Sequence, residues 1–261
     1  MQKQNLLNVA LIQTDIIWEK PEANREHIER KINTLNSRTD LVILPEMFTT
    51  GFTMNATQIA EKMDGKTVLW MQKIASEKQI AIIGSLVIKE DNNFYNRLVF
   101  VNPNKKIEYY DKRHSFTLAK EDETYTSGIK KLIVNYKGWK ICPLICYDLR
   151  FPVWARNTEN YDLLIYVASW PEKRVYAWDT LLKARAIENL SYTIGVNRIG
   201  KDTNDFNYNG HSIAIDFLGK PITNENNSCE KIIEITLDKK SQNDQRERFG
   251  FLNDRDHYEL L

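Results

Sequence analysis

Asp162-Leu-Leu-Ile-Tyr-Val-Ala168 repeats, in the second half of the chain, the pattern of Asp40-Leu-Val-Ile-Leu-Pro45 in the first: an acid followed by a short, unbroken apolar run. Runs of this length without alternation read as strands buried on both faces, which requires layers above and below. Helical periodicity supplies one layer. Residues 22–35, opening at Pro21, align Ile28, Ile32 and Leu35, and residues 67–78 align Val68, Met71 and Ala75. Residues 176–190 form a third long helical stretch, and further strands are expected over 6–13, 80–88, 192–196 and 231–237. The middle of the chain differs. Strands over 94–101, 106–110, 131–136 and 139–145 are separated by turn-rich pieces such as Asn102-Pro-Asn-Lys and Lys137-Gly138, which predicts antiparallel pairing. The expectation is an α/β fold in which two sheets pack together with helices outside, a four-layer αββα sandwich whose related halves are marked by Asp40 and Asp162.

The 261 residues contain no Pro/Gly/Ser-rich linker, so residues 1–261 read as one domain. The polar segment from about 240 to 261, anchored by Phe249, Phe251 and Tyr258, is expected to wrap this domain or a partner subunit. With 42% apolar and 27% charged residues the chain has material for a large core, which excludes compositional disorder. A formal charge of +1 with interspersed signs leaves no electrostatic footprint for nucleic acid. No apolar run reaches membrane-spanning length and the first residues are too polar for a signal peptide, so a cytoplasmic protein acting on small molecules is expected, with no membrane partner. Three cysteines, an odd number in a long chain, read as reduced thiols, and Cys142 and Cys146 lack a second ligand pair for a metal.

Three apolar segments end in chemically useful side chains. Residues 41–46 end in the carboxylate of Glu46, residues 107–112 in the amine of Lys112, and residues 139–146 in the thiol of Cys146. A Cys nucleophile needs a base, donors for an oxyanion and a proton source for the leaving group. Glu46 meets the first and third needs, and the Lys112 ammonium meets the second with the backbone N–H of Tyr147. A carboxylate beyond Lys112, Glu121 or Glu123, holds that ammonium in place. Each residue has a plainer reading alone: a buried small hydrophobe, a turn residue, a solvated charge. Cys142, at even spacing from Cys146 on one strand, takes the plain reading. His114 or His211 activating Cys146 is the rival pairing.

Leu44-Pro-Glu46, Asp111-Lys112-Arg-His and Cys146-Tyr-Asp-Leu-Arg-Phe-Pro152 resemble, in order and separation, the signature blocks of the nitrilase superfamily of carbon-nitrogen hydrolases. Residues 45–52, 168–171 and 184–189 are similar to its omega-amidase branch. The resemblance implies Glu46 as general base, Lys112 as oxyanion stabiliser, Cys146 as thioester-forming nucleophile and Glu121 as the supporting carboxylate. It also implies the αββα fold, no cofactor, a homodimer, and omega-amides of short 2-oxo dicarboxylic acids (2-oxoglutaramate, 2-oxosuccinamate) as substrates. Such a substrate brings a carboxylate, for which Arg174 is the favoured partner and Arg150 the alternative. Phe48, Phe116, Tyr147 and Trp170 are candidate apolar walls. The alternatives are an amidase of the same superfamily acting on deaminated glutathione or N-carbamoyl amino acids, and a catalytically silent binding protein on the same fold.

Overall fold

The computed structural model describes residues 5–223, 228–256 and 258, so the expected tail lies outside the described residues at 257 and 259–261. The strands are Leu6–Gln13 (β1), Leu41–Ile43 (β2), Ala81–Glu90 (β3), Asn93–Val101 (β4), Ile107–Asp111 (β5), Val134–Tyr136 (β6) and Trp139–Ile145 (β7). They continue with Leu163–Ala168 (β8), Tyr192–Asn197 (β9), Ile199–Lys201 (β10), Asn207–Asn209 (β11), Ile213–Ile215 (β12) and Lys231–Asp238 (β13). One sheet has the order β13-β1-β2-β3-β4-β5, a second β12-β9-β8-β7-β6, and β10 and β11 form a separate hairpin.

The two sheets are built on one plan, and the two acids show why. β1-β2-β3 and β7-β8-β9 are both parallel triplets. Asp40 precedes the central strand of the first, and its carboxylate accepts the Asn8 N–H at 2.9 Å and bonds the Lys137 ammonium. Asp162 holds the same place in the second, accepting the Lys140 N–H at 2.8 Å and the Lys239 ammonium at 2.6 Å. An acid before each central strand thus sets register with the neighbouring strand, which explains the repeated pattern.

Inner faces of both sheets interleave in one core containing Leu11, Ile43, Ile83 and Phe100 from the first and Ile141, Leu163, Ile165 and Ile194 from the second. On the outer face of the first sheet, Val42, Leu44 and Ile82 pack against Ile28 and Ile32 of the helix Pro21–Ile32 and against Val68, Met71 and Ile74 of the helix Lys66–Lys78. The helix Val175–Asn189 covers the second sheet so closely that a Cβ on Gly195 would stand 2.5 Å from the Trp178 ring. Layers of helix, sheet, sheet and helix result. The tail contains the helix Lys239–Phe249, in which Gln242 and Arg246 donate to the Asp162, Leu190 and Tyr161 carbonyls of the same chain. It lies at the starting ends of β8 and β9, away from the ends that carry Cys146 and Ser169.

The structure departs from the expected elements in several places, among them the helix Lys239–Phe249 in what reads as a polar tail. Residues 131–133 are not strand, and β6 holds only three residues. The hairpin β10/β11 and strand β12 follow from short polar or three-residue pieces with too few positions to show a period.

Candidate active site

β2, β5, β7 and β8 bring their carboxyl ends to one edge of the inter-sheet core. The chain leaves β7 through Cys146, whose φ of 43° lies in the left-handed region. A non-glycine residue pays about 1–3 kcal/mol for that conformation, and such strain collects where a side chain must be presented. The following 3₁₀ turn, Cys146–Arg150, sets the Tyr147 N–H in a first-turn position that has no partner inside the helix. Cys146 lies against a cleft of about 420 Å³ together with Glu46, Lys112, Tyr147, Ser169 and Trp170.

Glu46, Lys112 and Glu121 are almost completely buried and directly bonded. The Lys112 Nζ stands 2.8 Å from Glu46 Oε1 and 2.9 Å from both oxygens of Glu121. Asn96 Nδ2 donates to Glu46 Oε1 at 2.8 Å and to Glu121 Oε1 at 3.1 Å. The Ser169 N–H donates to Glu46 Oε2 at 2.8 Å, and the Phe116 N–H to Glu121 Oε2 at 2.6 Å. The Cys146 thiol lies beside Glu46, close enough for that carboxylate to act on it. Every one of these polar partners is a donor, which suits two carboxylates that act as acceptors.

The pKa directions follow from this packing. Burial raises the Cys146 thiol well above its ordinary value, and the Glu46 charge and hydrogen bond raise it further against the pull of Lys112. Burial alone would lower Lys112, but the charges of Glu121 and Glu46 outweigh it and hold the ammonium firmly protonated. Burial raises Glu121 above the usual carboxylate range, against the pull of Lys112 and with the help of Glu46. A thiol of this kind becomes a nucleophile only as a neighbouring base takes its proton, and Glu46 is the carboxylate beside it. Lys112, unable to act as a base, is a fixed positive charge beside the sulfur.

The residues 8–246 match the family model described as carbon-nitrogen hydrolase. The chain belongs to the carbon-nitrogen hydrolase family. This hydrolase is 39% identical to the omega-amidase YafV of Escherichia coli K12 over 97% of this chain and 98% of that protein. It is 30% identical to the 2-oxoglutaramate amidase of Bacillus subtilis over 94% of this chain and 96% of the relative. Among solved structures it resembles XC1258 of Xanthomonas campestris, a CN-hydrolase superfamily protein with an arsenic adduct in its active site, with TM-score 0.95, 41% identity and coverage of 98% and 99%.

The expected residues distribute as follows in the hydrolase. Glu46, Lys112, Cys146 and Glu121 come together, whereas Glu123 is exposed and pairs with Lys120 at 3.5 Å. Phe116, Trp170, Arg174 and Arg150 line the cleft. Phe48 does not: it is fully buried in the outer core, 6.2 Å from the Trp70 ring. The reversal at Met47, φ 44°, sends the chain after Glu46 back toward the helices, and Phe52 takes the wall position instead, 5.2 Å from Lys112 Nζ. His114 bonds Asp148 at 2.8 Å and stacks on Phe151, and His211 bonds Asp179 at 3.0 Å. Neither histidine lines the cleft, so the Cys–His pairing has no geometric basis. Asn96 escapes a reading of the sequence, because one Asn inside an apolar strand carries no motif of its own. Among the described residues no group of three or more His, Cys, Asp or Glu is arranged to hold a metal ion, and no helix is long and apolar enough to cross a membrane.

Proposed function

We propose that this chain is an omega-amidase that hydrolyses the terminal amide of short 2-oxo dicarboxylic acid monoamides, 2-oxoglutaramate and 2-oxosuccinamate, to the diacid and ammonia. The observation that carries the substrate class is a pair of uncommitted cations. Arg150 and Arg174 line the cleft that holds Cys146, their guanidinium groups lie over the rings of Trp170 and Phe116 at 5.1 Å each, and neither side chain has a hydrogen-bond or ion-pair partner among the described residues. A cation kept on an aromatic face and left unpaired suits a substrate carboxylate, and it balances the net negative charge of the buried Glu46, Lys112 and Glu121 set. The resemblance to YafV and to the 2-oxoglutaramate amidase supports the same reading.

In this mechanism Glu46 takes the Cys146 proton as sulfur attacks the amide carbon. The carbonyl oxygen becomes an oxyanion between Lys112 Nζ and the Tyr147 N–H. Glu46 then protonates the amide nitrogen, the C–N bond breaks, ammonia leaves and a thioester remains. Water gives a proton to Glu46 and adds to the thioester, after which the C–S bond breaks and Glu46 returns its proton to sulfur. Glu121, with Asn96, keeps the ammonium in register throughout, and no step calls for a cofactor.

A thiol nucleophile works only when reduced, which supports a cytoplasmic setting. The exposed stripe of Tyr176, Thr180 and Ile187 on the helix Val175–Asn189 supports a homodimer of single-domain subunits. Ammonia release from 2-oxoglutaramate, 2-oxosuccinamate, deaminated glutathione and an N-carbamoyl amino acid tests the proposal. The first two are expected to be preferred, with turnover abolished in Cys146→Ala. Preference for either of the last two, or turnover in Cys146→Ala, overturns it.

A further inference from the structure

Asp148 is a fully buried carboxylate that the reaction does not use, and among the described residues it pairs with no Lys or Arg. Its charge is held by four donors from two segments. From the nucleophile turn, the Ile145 N–H donates to Oδ2 at 3.1 Å. From the segment that carries Lys112, the Tyr110 hydroxyl donates to Oδ2 at 2.8 Å, and the His114 N–H and Nδ1 bond Oδ1 at 3.1 and 2.8 Å. The Tyr110 hydroxyl in turn accepts the Arg113 N–H and the Trp154 indole N–H, at 3.0 Å each. Tyr110 is 1% exposed. Residues 110–114 and 145–148 are therefore stitched together on both sides of Lys112 and immediately before the strained Cys146.

The two segments belong to opposite sheets, β5 in the first and β7 in the second. No strand pairing fixes their separation, so it depends on side chains that cross the interface. Lys112 and Cys146 are the two groups that must meet one amide carbonyl, sulfur on its carbon and ammonium on its oxygen. We infer that Asp148, acting with Tyr110, is a positioning residue that aligns the Cys146 turn with Lys112 across the sheet interface. The inference rests on the roles proposed above for those two residues. Misplacement of reacting groups by about 1 Å costs on the order of 10²-fold in rate while leaving substrate affinity largely intact. Arg150, Arg174, Trp170 and Phe116, which hold the substrate, are not bonded to Asp148.

The test uses the full chain with Asp148→Asn, Tyr110→Phe and the double variant, assayed on 2-oxoglutaramate below each variant's melting temperature. Asp148→Asn is expected to lower kcat about 10²-fold with KM changed less than about threefold, and Tyr110→Phe to lower kcat about 5- to 20-fold. Because the two residues act as one unit, the double variant should be no slower than Asp148→Asn alone. If Asp148→Asn does not fold, the Tyr110→Phe split between kcat and KM decides, since that change removes one hydroxyl. Wild-type kcat in a folded Asp148→Asn or Tyr110→Phe variant overturns the inference, as does a loss of activity that only tracks the fraction of folded protein. A fully multiplicative double variant overturns it too. Turnover in Cys146→Ala would instead remove the reading beneath it, which keeps the two failures apart.

Discussion

Replacing Lys112 by Met separates the task the structure gives it, holding two buried acids, from the one proposed for it, meeting the oxyanion. The Lys112 side chain is 3% exposed, bonded at 2.8 Å to Glu46 and at 2.9 Å to Glu121, and both of those carboxylates are themselves 0% exposed. Removing the ammonium leaves two buried carboxylates with neutral donors only, and breaking a buried ion pair from one side costs about 3–5 kcal/mol. For a chain of this size each kcal/mol moves the melting temperature by about 2–4 °C, so Lys112→Met is expected to melt roughly 6–20 °C lower. Loss of an oxyanion donor costs about 10²–10³ in kcat. Adding Glu121→Gln removes one of the two uncompensated charges and should restore at least half of the lost stability, leaving turnover as low as before.

The pH dependence adds a second signature. Burial already raises Glu121 above its ordinary range, and loss of Lys112 raises it further. A carboxyl raised on folding contributes stability that is fully present below its unfolded value of 4.5 and lost as pH climbs through the folded value. The deficit of Lys112→Met should therefore shrink between pH 7 and pH 5, and this pH dependence should weaken in the double variant that also carries Glu121→Gln, which removes one of the two carboxylates left without the ammonium. Differential scanning calorimetry over that range, paired with ammonia release, reads both effects. A Lys112→Met melt within about 2 °C of wild type, or a double variant that regains turnover, refutes the picture of one cation serving both acids and the oxyanion.

Arg174→Ala removes the half-buried unpaired guanidinium and should raise KM for 2-oxoglutaramate by about 10- to 100-fold with kcat changed little, since a charged hydrogen bond contributes about 1.5–3 kcal/mol; an unchanged KM excludes Arg174 as the carboxylate anchor. Alkylation of Cys146 by iodoacetamide should keep accelerating above about pH 9, because burial and the Glu46 charge raise the thiol; a plateau below about pH 8 would mean a stabilised thiolate. Glu230, despite partial burial, is lowered to about 2 by hydrogen bonds from His27, Thr14, the Asp15 N–H and Lys31, which tie the start of β13 to β1 and the first helix. A depressed carboxyl stabilises above its unfolded value and loses that contribution as pH falls through the folded one, so Glu230→Gln should melt about 2–4 °C below wild type at pH 7 and converge with it near pH 2.

Legibility in the sequence follows the range over which each constraint acts. Buried central strands and their flanking helices are readable because burial on two faces forces apolar runs, and Asp40 and Asp162 mark matching halves because each caps the strand beside it. Glu46, Lys112 and Cys146 are readable because each ends an apolar run, where a polar side chain has few structural reasons to stand. Phe48 is misplaced by the same logic. Position after Glu46 suggests a cleft wall, but a single left-handed residue, Met47, reverses the chain, and no composition announces that on a non-glycine residue. Asn96 and Asp148 are out of reach for a different reason. Asn96 serves two acids, one after β2 and one opening the short helix Glu121–Thr124 beyond β5, and Asp148 gathers donors from the opposite sheet. Their partners are separated by 25, 34, 38 and 50 residues, so their purpose exists only once the sheets have closed. Side chains of that kind are costly to bury and contribute little to the fold as a pattern, which is why an unexplained buried polar residue at a sheet interface is itself a pointer to the site it supports.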